Sequence, residues 1–579
     1  MPLYKTWKVL PPAPNEFHKN FSEFSKILLN LLYHRVGNDR KAIAEFFNPN
    51  FENDVHSPFL LRDMEKAVGR ILKAIKNKEK IAIYGDYDVD GITSASVLKS
   101  VLKKLGVEPK VYIPDRGKEG YSLNLKAIKY LKSEKIKLII TVDCGIRDKL
   151  EIQKAGEYGM DVILTDHHMP GENLPEAYAI INPKVKNEVY PFRELAGVGV
   201  AFKLAVAIIE SAPKKVFKQG FEKWLLDLVA LGTIADMVPL VGENRTLVKY
   251  GLLVLSKTDR LGVKSVFSSA KIELSPKNIP STGQISFQIA PRLNAAGRMD
   301  HANSSFELLN TQDPEEAAQL ARELESKNGR RQRLTDKVVK EIEEKINLKQ
   351  KIVFAGSSEW PAGILGLAAG KITEKYARAA FVFNESKKKY QGSVRSMGKF
   401  KVVWALEQCK NLLLGYGGHD YAGGFTFLPE NKDKLERKLH RIANKLLEEK
   451  DLAWETKIDQ RIKLTDIDWT LLEEIKKMEP FGMGNSSPLF LAERVELFQC
   501  QQVGNGSKHL KMWFRDNGSG GNNTVFEAIA FGKGDKFCML IPQSGKGVLL
   551  DIVFEISNDE WNGNKKLQLI VRDLRLSPK

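Results

Sequence analysis

Cysteine is scarce in this chain: Cys144, Cys409, Cys500 and Cys538 are spread over 579 residues and form no CxxC pair. That spacing removes a zinc ribbon and a disulfide framework as organising devices, and reduced thiols are expected. Long apolar runs are missing as well. The opening segment MPLYKTWKVLPPAPN has no apolar core of the kind a signal peptide needs, and the most apolar later stretch, Leu225 to Val241, is broken by Asp227 and Asp236. A cytoplasmic protein without a membrane span is the expectation. No internal repeat is present, which sets solenoids and propellers aside. Acid is in short supply relative to base: 72 Asp plus Glu face 89 Lys plus Arg, a formal net charge of +17, and this favours a polyanionic partner.

What is there is an ordinary globular composition, 43% hydrophobic and 28% charged, in a chain longer than the roughly 250 to 300 residues one core supports. Several domains follow. Between Ile81 and Ile181 the apolar runs IAIY, VYI, LIITV, DVILT and AYAII alternate with helical segments such as SASVLKSVLKKLG and KLEIQKAGEYG, the pattern of βαβ units on a parallel sheet. This α/β domain is placed at 61–301, after an N-terminal extension of 1–60, and takes in the helical stretches VGVAFKLAVAIIE and LLDLVALGTIADMVPL. A long charged helix joining two domains is expected over 302–349. Asp313 is its N-cap, Pro314 its first residue and Glu316 is placed to complete a capping box. A second, smaller α/β unit starts at KIVFAG and fills 350–450. From Trp454 to the end, the runs VELFQC, LKMWF, FEAIAF, VLLDIVFEI and KLQLIV are broken by Gly, Asn and Ser clusters, which predicts a small β-barrel.

Carboxylates recur where apolar strands end. IAIYGDYDVDG places Asp86, Asp88 and Asp90 after the first strand, LIITVDCG places Asp143 after another, and VILTDHH places Asp166, His167 and His168 after a third. The carboxyl ends of parallel strands face one crevice, so these groups should converge. A lone Asp after a strand is ordinarily a turn former or a helix N-cap. Acids at three strand ends, one followed by paired histidines, instead call for a cation between them, because crowded carboxylates repel. Carboxylates with imidazoles suit Mn²⁺ or Mg²⁺, the imidazoles favouring Mn²⁺. A bridging aspartate holding two ions about 3.5 to 4 Å apart would activate water for phosphodiester hydrolysis.

On the segments GDYDVDG, TVDCG, LTDHH and LGTIADMVPL, the chain resembles the DHH phosphoesterase superfamily in motif order and spacing. The resemblance implies metal ligation by Asp88, Asp90, Asp143, His167 and Asp236, with Asp86 and His168 beside them as further catalytic residues. Where manganese pyrophosphatases of that superfamily carry a metal-binding histidine, this chain has Tyr84. The second α/β unit resembles a DHHA1 domain, with QGSVRS and GYGGHDYAGG as substrate-facing loops, among them Gly417, Gly418 and His419. PDRGKEGYSL, APRLNAAGRM, EWPAGILGLAAGKI, EPFGMGN and EWNG resemble segments of the superfamily's single-strand exonucleases. Carried over, Arg116, Ser393 and Arg395 form a pocket for a terminal 5′ phosphate, Tyr121 stacks on a base, and Arg292 lies on the nucleic-acid path, with Arg298 also binding substrate. The barrel resembles an OB-fold, with Lys508, His509, Lys511 and Trp513 as a basic and aromatic mix, although Trp513 could equally fill its interior. What this implies is a metal-dependent 5′-to-3′ exonuclease of single-stranded DNA, monomeric, with a helicase and a single-strand-binding protein as candidate partners. The alternatives are a DHH/DHHA1 phosphodiesterase of short oligoribonucleotides or cyclic dinucleotides, and an idle relative that only binds single strands.

Overall fold

The computed structural model describes residues 5–515, 525–541, 547–561 and 564–578, and the chain divides into two compact units. One is built on Asn50–Trp454, the other on Lys5–Pro49 together with Glu455–Lys579.

In the first unit, β1 (Ile81–Gly85), β2 (Lys110–Tyr112), β3 (Leu138–Val142), β4 (Asp161–Thr165) and β5 (Ala179–Ile181) form a parallel sheet ordered β2-β1-β3-β4-β5. Every residue of β1 and β3 is buried, as a parallel sheet covered on both faces requires. Alternate residues divide between two cores: Ile81, Ile83, Leu138 and Ile140 face one, Ala82, Tyr84 and Ile139 the other. Because β2 lies on the far side of β1 from β3, the connections leaving β1 and β3 diverge. A crevice opens at their carboxyl ends. Helices α1 (Val89–Lys104), α2 (Gly197–Ser211) and α3 (Leu226–Ala235) pack against one another there. Of these, α2 and α3 are apolar nearly all round, in keeping with their burial, whereas α1 also buries Thr93, Ser94 and Ser96, whose hydroxyls bond back to helix carbonyls.

The core of this domain runs past the expected limit at His301. After α4 (Ala290–Met299), the helix Asn303–Asn310 adds Phe306, Leu308 and Leu309, and the first turns of α5 (Pro314–Glu343) add Ala317, Leu320, Ala321 and Leu324. Asp313 caps α5 as predicted, accepting from the amides of Glu315 at 2.8 Å and Glu316 at 3.3 Å. The capping box does not close, because the Glu316 carboxylate takes the Thr311 hydroxyl instead. Nor is α5 a bare solvated rod: farther along, Val338 and Ile342 pack with Trp360 and Ile364 of the next domain. Its apolar residues recur every three or four positions, so one face is buried while the charges cover the other.

The second domain's sheet has β6 (Ile352–Ser357), β7 (Ala379–Glu385), β8 (Tyr390–Arg395), β9 (Leu413–Gly418) and β10 (Ala422–Phe427) in the order β9-β10-β8-β7-β6. The stretches expected to be loops, QGSVRS and GYGGHDYAGG, are therefore largely strands. Glycine is needed there for packing: a Cβ on Gly392 would lie 2.4 Å from the Phe425 ring. Helix α6 (Leu365–Tyr376) packs on β7 and β8.

The other unit contains the predicted barrel. β11 (Phe490–Val503), β12 (His509–Arg515), β13 (Val525–Ala530), β14 (Val548–Trp561) and β15 (Asn564–Leu576) run β11-β12-β13-β15-β14, and β14 pairs back to β11 to close the ring. Residues 562 and 563 of the EWNG segment lie outside the described residues. Residues 5–60 are not a separate extension. Phe17, Phe21, Leu28 and Leu32 share a core with Ile475, Phe490 and Phe554, whereas Phe51, Val55 and Phe59 pack on the first unit. Short apolar helices cannot stand alone in water, and each part buries its face on the nearest available core. All four cysteines are free thiols. Among the described residues no helix is long and apolar enough to cross a membrane.

Candidate active site

The crevice at the carboxyl ends of β1, β3 and β4 gathers the predicted acids and histidines. Asp86 follows β1 directly and is buried. Asp88 is the N-cap of α1, its Oδ1 accepting from the amides of Asp90 and Gly91. Asp90 is buried one turn on, and the N-terminus of α2 receives it: Gly197 N donates to Oδ2 at 2.7 Å and Val198 N to Oδ1 at 2.8 Å. Asp143 follows β3 in the left-handed conformation, with φ 61°, one that aspartate tolerates better than most residues. Gly197 leaves it room, since a Cβ there would lie 2.5 Å from Asp143 Oδ1. Asp236 caps the C-terminal end of α3.

His167 closes the set. Its Nε2 is 3.2 Å from Asp143 Oδ1, 3.6 Å from Asp236 Oδ2 and 3.9 Å from Asp90 Oδ2. Burial and the neighbouring His168 draw its pKa down to about 3, so the ring is neutral and its lone pair meets carboxylates. Among the described residues, Nε2 of His167 has no hydrogen-bond partner, nor have Asp86 Oδ1, Asp143 Oδ1 and Asp236 Oδ2. Electron-pair donors buried face to face are satisfied by a cation. Three groupings bring ligand atoms within 4.8 Å of one another: Asp90, His167 and Asp236; Asp143, His167 and His168; Asp86, Asp88 and Asp143. Asp143 stands in two of them, His167 in two, and Asp86 joins a ligand set from which the sequence reading left it out. The residues fit hard divalent cations with mixed oxygen and nitrogen donors.

Burial first, then repulsion from Asp88, raises the Asp90 carboxyl to about 7, and burial with neighbouring acids raises Asp143 and Asp236 well above the usual range. A carboxyl raised in the folded state keeps protons that the unfolded chain has already released, so stability falls as pH rises towards 7. We expect the melting temperature of metal-free protein to fall between about pH 5 and pH 7.5 and saturating Mn²⁺ to abolish that slope. Calorimetry across this range checks it, and a flat metal-free profile would show that the acids are not crowded.

Asp166 organises the site without facing its centre. Its Oδ1 accepts from the amides of His167 at 2.7 Å and His168 at 3.0 Å and from His168 Nδ1 at 2.8 Å, while Oδ2 accepts from Ile146 N at 3.0 Å. Burial alone would lower His168, but the bond to Asp166 and the negative charges around it outweigh this and raise its pKa. Tyr84 takes no part. Its ring is buried and its hydroxyl donates to Ser122 O at 3.0 Å, on the face of β1 opposite Ile83.

Beside the cluster lies a cleft of about 710 Å³, lined by Tyr87, Arg116 and Tyr121 from the first domain, Arg298 at the end of α4, and Ser393, Arg395, Gly423 and Gly424 from β8 and β10. Arg395 is fixed by its own surroundings, Nη1 donating to Val394 O at 2.9 Å. Burial and the charges of Arg116, Arg331 and Arg395 draw Arg298 down to about 10. Three guanidinium groups without a carboxylate partner among the described residues share this cleft. Such a collection is stable next to an anion. Tyr121 connects cleft and cluster, its hydroxyl 3.3 Å from both ring nitrogens of His168.

Other expected residues fall elsewhere. Arg292 does not line the cleft; its Nε is 2.5 Å from Glu325 on α5 and its Nη1 donates to Gln288 O. Gly417 and Gly418 lie on the outer strand β9, and it is Gly423 and Gly424 of the same stretch that reach the cleft. His419 follows at the turn between β9 and β10, its amide bonded to Ala422 O, with His168 close enough to depress its basicity after burial has done so. In the barrel, Leu510, Met512 and Phe514 point inward, so Trp513 does not fill the interior; it lies on the outer face with His509 and Lys511, and Lys511 Nζ is 5.3 Å from its ring centre. Sequence reasoning missed Tyr87 and also Asn294, whose Oδ1 accepts from Val89 N at the start of α1. The NAA of APRLNAAGRM is the signal that could have found it.

Residues 80–233 match the model of the DHH family, N-terminal domain, residues 349–445 the DHHA1 domain and residues 458–573 the RecJ OB domain. The single-stranded-DNA-specific exonuclease RecJ of Bacillus subtilis (strain 168) is 37% identical over 579 residues, 99% of this chain and 71% of that protein. Crystal structures of RecJ from Thermus thermophilus superpose with TM-scores of 0.83 in complex with Mn²⁺ and 0.77 in complex with Mg²⁺, at 27% and 26% identity; each alignment covers 99% of this chain, and 80% and 79% of those chains. Matched along almost its whole length, with DHH, DHHA1 and RecJ OB segments following one another, the chain belongs to the RecJ family of single-stranded-DNA-specific exonucleases.

Proposed function

We propose that this protein is a metal-dependent exonuclease that hydrolyses single-stranded DNA from its 5′ end, in DNA repair and recombination. The observation that carries this reading is the junction of a cation-binding cluster with a cleft of three arginines that have no carboxylate partner among the described residues, bridged by Tyr121. Asp88, Asp90, Asp143, His167 and Asp236 hold the cations, with Asp86 beside them. Mn²⁺ or Mg²⁺ bound there lowers the pKa of a water and neutralises charge developing on phosphoryl oxygens. Arg116, Ser393 and Arg395 bind the terminal 5′ phosphate, Arg298 adds charge to the same wall, and Tyr121 stacks on a base, which a duplex does not offer. His168 donates through Nδ1 to Asp166, which leaves Nε2 to face the substrate phosphate; the negative charges that raise the ring's basicity favour the imidazolium, in which Nε2 carries a proton. The outer face of β12, with Lys511 and Trp513, supports a longer strand.

An idle relative would have lost carboxylates, and all are present. Enzymes of short oligoribonucleotides or cyclic dinucleotides have no use for a strand-binding barrel. The protein is proposed to work as a cytoplasmic monomer, with a helicase or a single-strand-binding protein supplying its strands. End-labelled single-stranded DNA, duplex DNA, short RNA and cyclic dinucleotide, each incubated with the protein and Mn²⁺, separate these readings. Products shortened from the 3′ end remove the proposed polarity. Arg395→Ala should reduce kcat/KM on 5′-phosphorylated strands by roughly ten- to a hundredfold, as expected for a charge-assisted contact of about 1.5 to 3 kcal/mol. Strands with a 5′ hydroxyl should be affected much less, and equal loss on both would remove the phosphate pocket.

A further inference from the structure

Arg116 forms no salt bridge and no side-chain hydrogen bond with any described residue; its guanidinium carbon lies 5.2 Å from the centre of the Tyr87 ring. Tyr87 stands in sequence between Asp86 and Asp88 and lines the same cleft. Its backbone is held on both sides. Asp88 caps α1, and Gly297 of α4 packs so closely that a Cβ there would come within 2.9 Å of Tyr87 O. The Tyr121 ring meets the Tyr87 ring nearly edge-on, 6.4 Å away at 80°. A line of contacts therefore runs from Arg116 through Tyr87 and Tyr121 to His168.

An arginine beside a cluster of acids would ordinarily swing onto one of them. Asp86 is near enough for the charge of Arg116 to act on it. A carboxylate partner would occupy N–H donors and lower the positive potential that draws in a phosphate. An aromatic face attracts the guanidinium through its quadrupole and leaves its in-plane N–H groups free.

We propose that Tyr87 is a positioning residue for the 5′-phosphate pocket: its ring face holds Arg116 away from Asp86 with every donor available, and its place between Asp86 and Asp88 ties the filled pocket to the metal-binding loop. The inference rests on the 5′-phosphate reading above and adds how that pocket is kept open and coupled to the cations.

The test uses the full-length protein with saturating Mn²⁺ and reads the ratio of kcat/KM for 5′-phosphorylated over 5′-hydroxyl strands. Tyr87→Phe should keep the ratio, because the ring face remains. Tyr87→Leu should lower it by about fivefold, the scale of a cation–π contact. Fluorinated phenylalanines at position 87 preserve the shape while draining the ring face, and should lower the ratio stepwise. They carry the test if the leucine variant does not fold. In an Arg116→Gln background none of these changes should matter further. A wild-type ratio in Tyr87→Leu or across the fluorinated series, or an equal effect with and without Arg116, overturns the proposal. A ratio near one in the unmodified protein removes the phosphate pocket itself, a separate failure seen before any variant is made.

Discussion

Asp143→Asn should reduce cleavage of single-stranded DNA in Mn²⁺ on the order of a thousandfold or more while leaving affinity for the strand within about threefold of the unmodified protein. Among the described residues Asp143 belongs to two of the three candidate ligand groupings, so its charge would serve both proposed cation positions. Strand binding is proposed to rest on the arginine cleft and the barrel, which the substitution leaves intact. Stability should move the other way. In the metal-free protein, burial and repulsion from Asp90, Asp88 and Asp236 bear on Asp143, so an uncharged amide relieves strain and the melting temperature above about pH 7 should rise. Turnover on labelled strands, fluorescence anisotropy and calorimetry report the three effects. Wild-type turnover in the variant would mean that Asp143 bridges nothing and that the cations sit elsewhere.

Asp166→Ala should be nearly as damaging without removing a proposed cation ligand. The carboxylate accepts from three backbone amides and from His168 Nδ1. Its loss leaves buried donors unpaired, at about 1 to 3 kcal/mol each, and frees the ring of His168 to turn. Mn²⁺ affinity should fall by about ten- to a hundredfold, the usual cost of losing a group that orients ligands, and activity should remain depressed at saturating Mn²⁺. Recovery of full turnover on adding metal would show that Asp166 tunes affinity alone, and that the orientation of His168 has no part in the reaction.

Most of the candidate cluster was legible because Asp86, Asp143 and Asp166 directly follow apolar strand runs, and parallel strands bring their carboxyl ends together whatever lies between them; Asp236 ends a helix, and only the family resemblance reached it. The role of Asp166 was hidden because the acceptor of a hydrogen-bond cage has no sequence period. The cleft was harder still: Arg116, Arg298 and Arg395 come from a loop, a helix end and a strand, and a family resemblance related them while spacing did not. For Arg292, a basic residue in a telling segment does not reveal that an acid on a neighbouring helix lies beside it, as Glu325 does. Glycines misled in the second domain, where they make room for phenylalanine rings between strands instead of forming loops. The N-terminal helices went unread as part of a core, because their sequence does not say what covers them.

That last feature bears on how the chain is made. Phe17, Phe21, Leu28 and Leu32 leave the ribosome well ahead of Phe490 and Phe554, with which they share a core. The 405 residues of Asn50–Trp454 come between, and at ordinary rates of synthesis they take about 20 to 80 seconds. Throughout that interval the catalytic unit can fold while the early helices have no mate, exposed to chaperones and proteases. A chain broken off inside the catalytic unit thus displays its own mark of incompleteness, carried by the segment that was synthesised first.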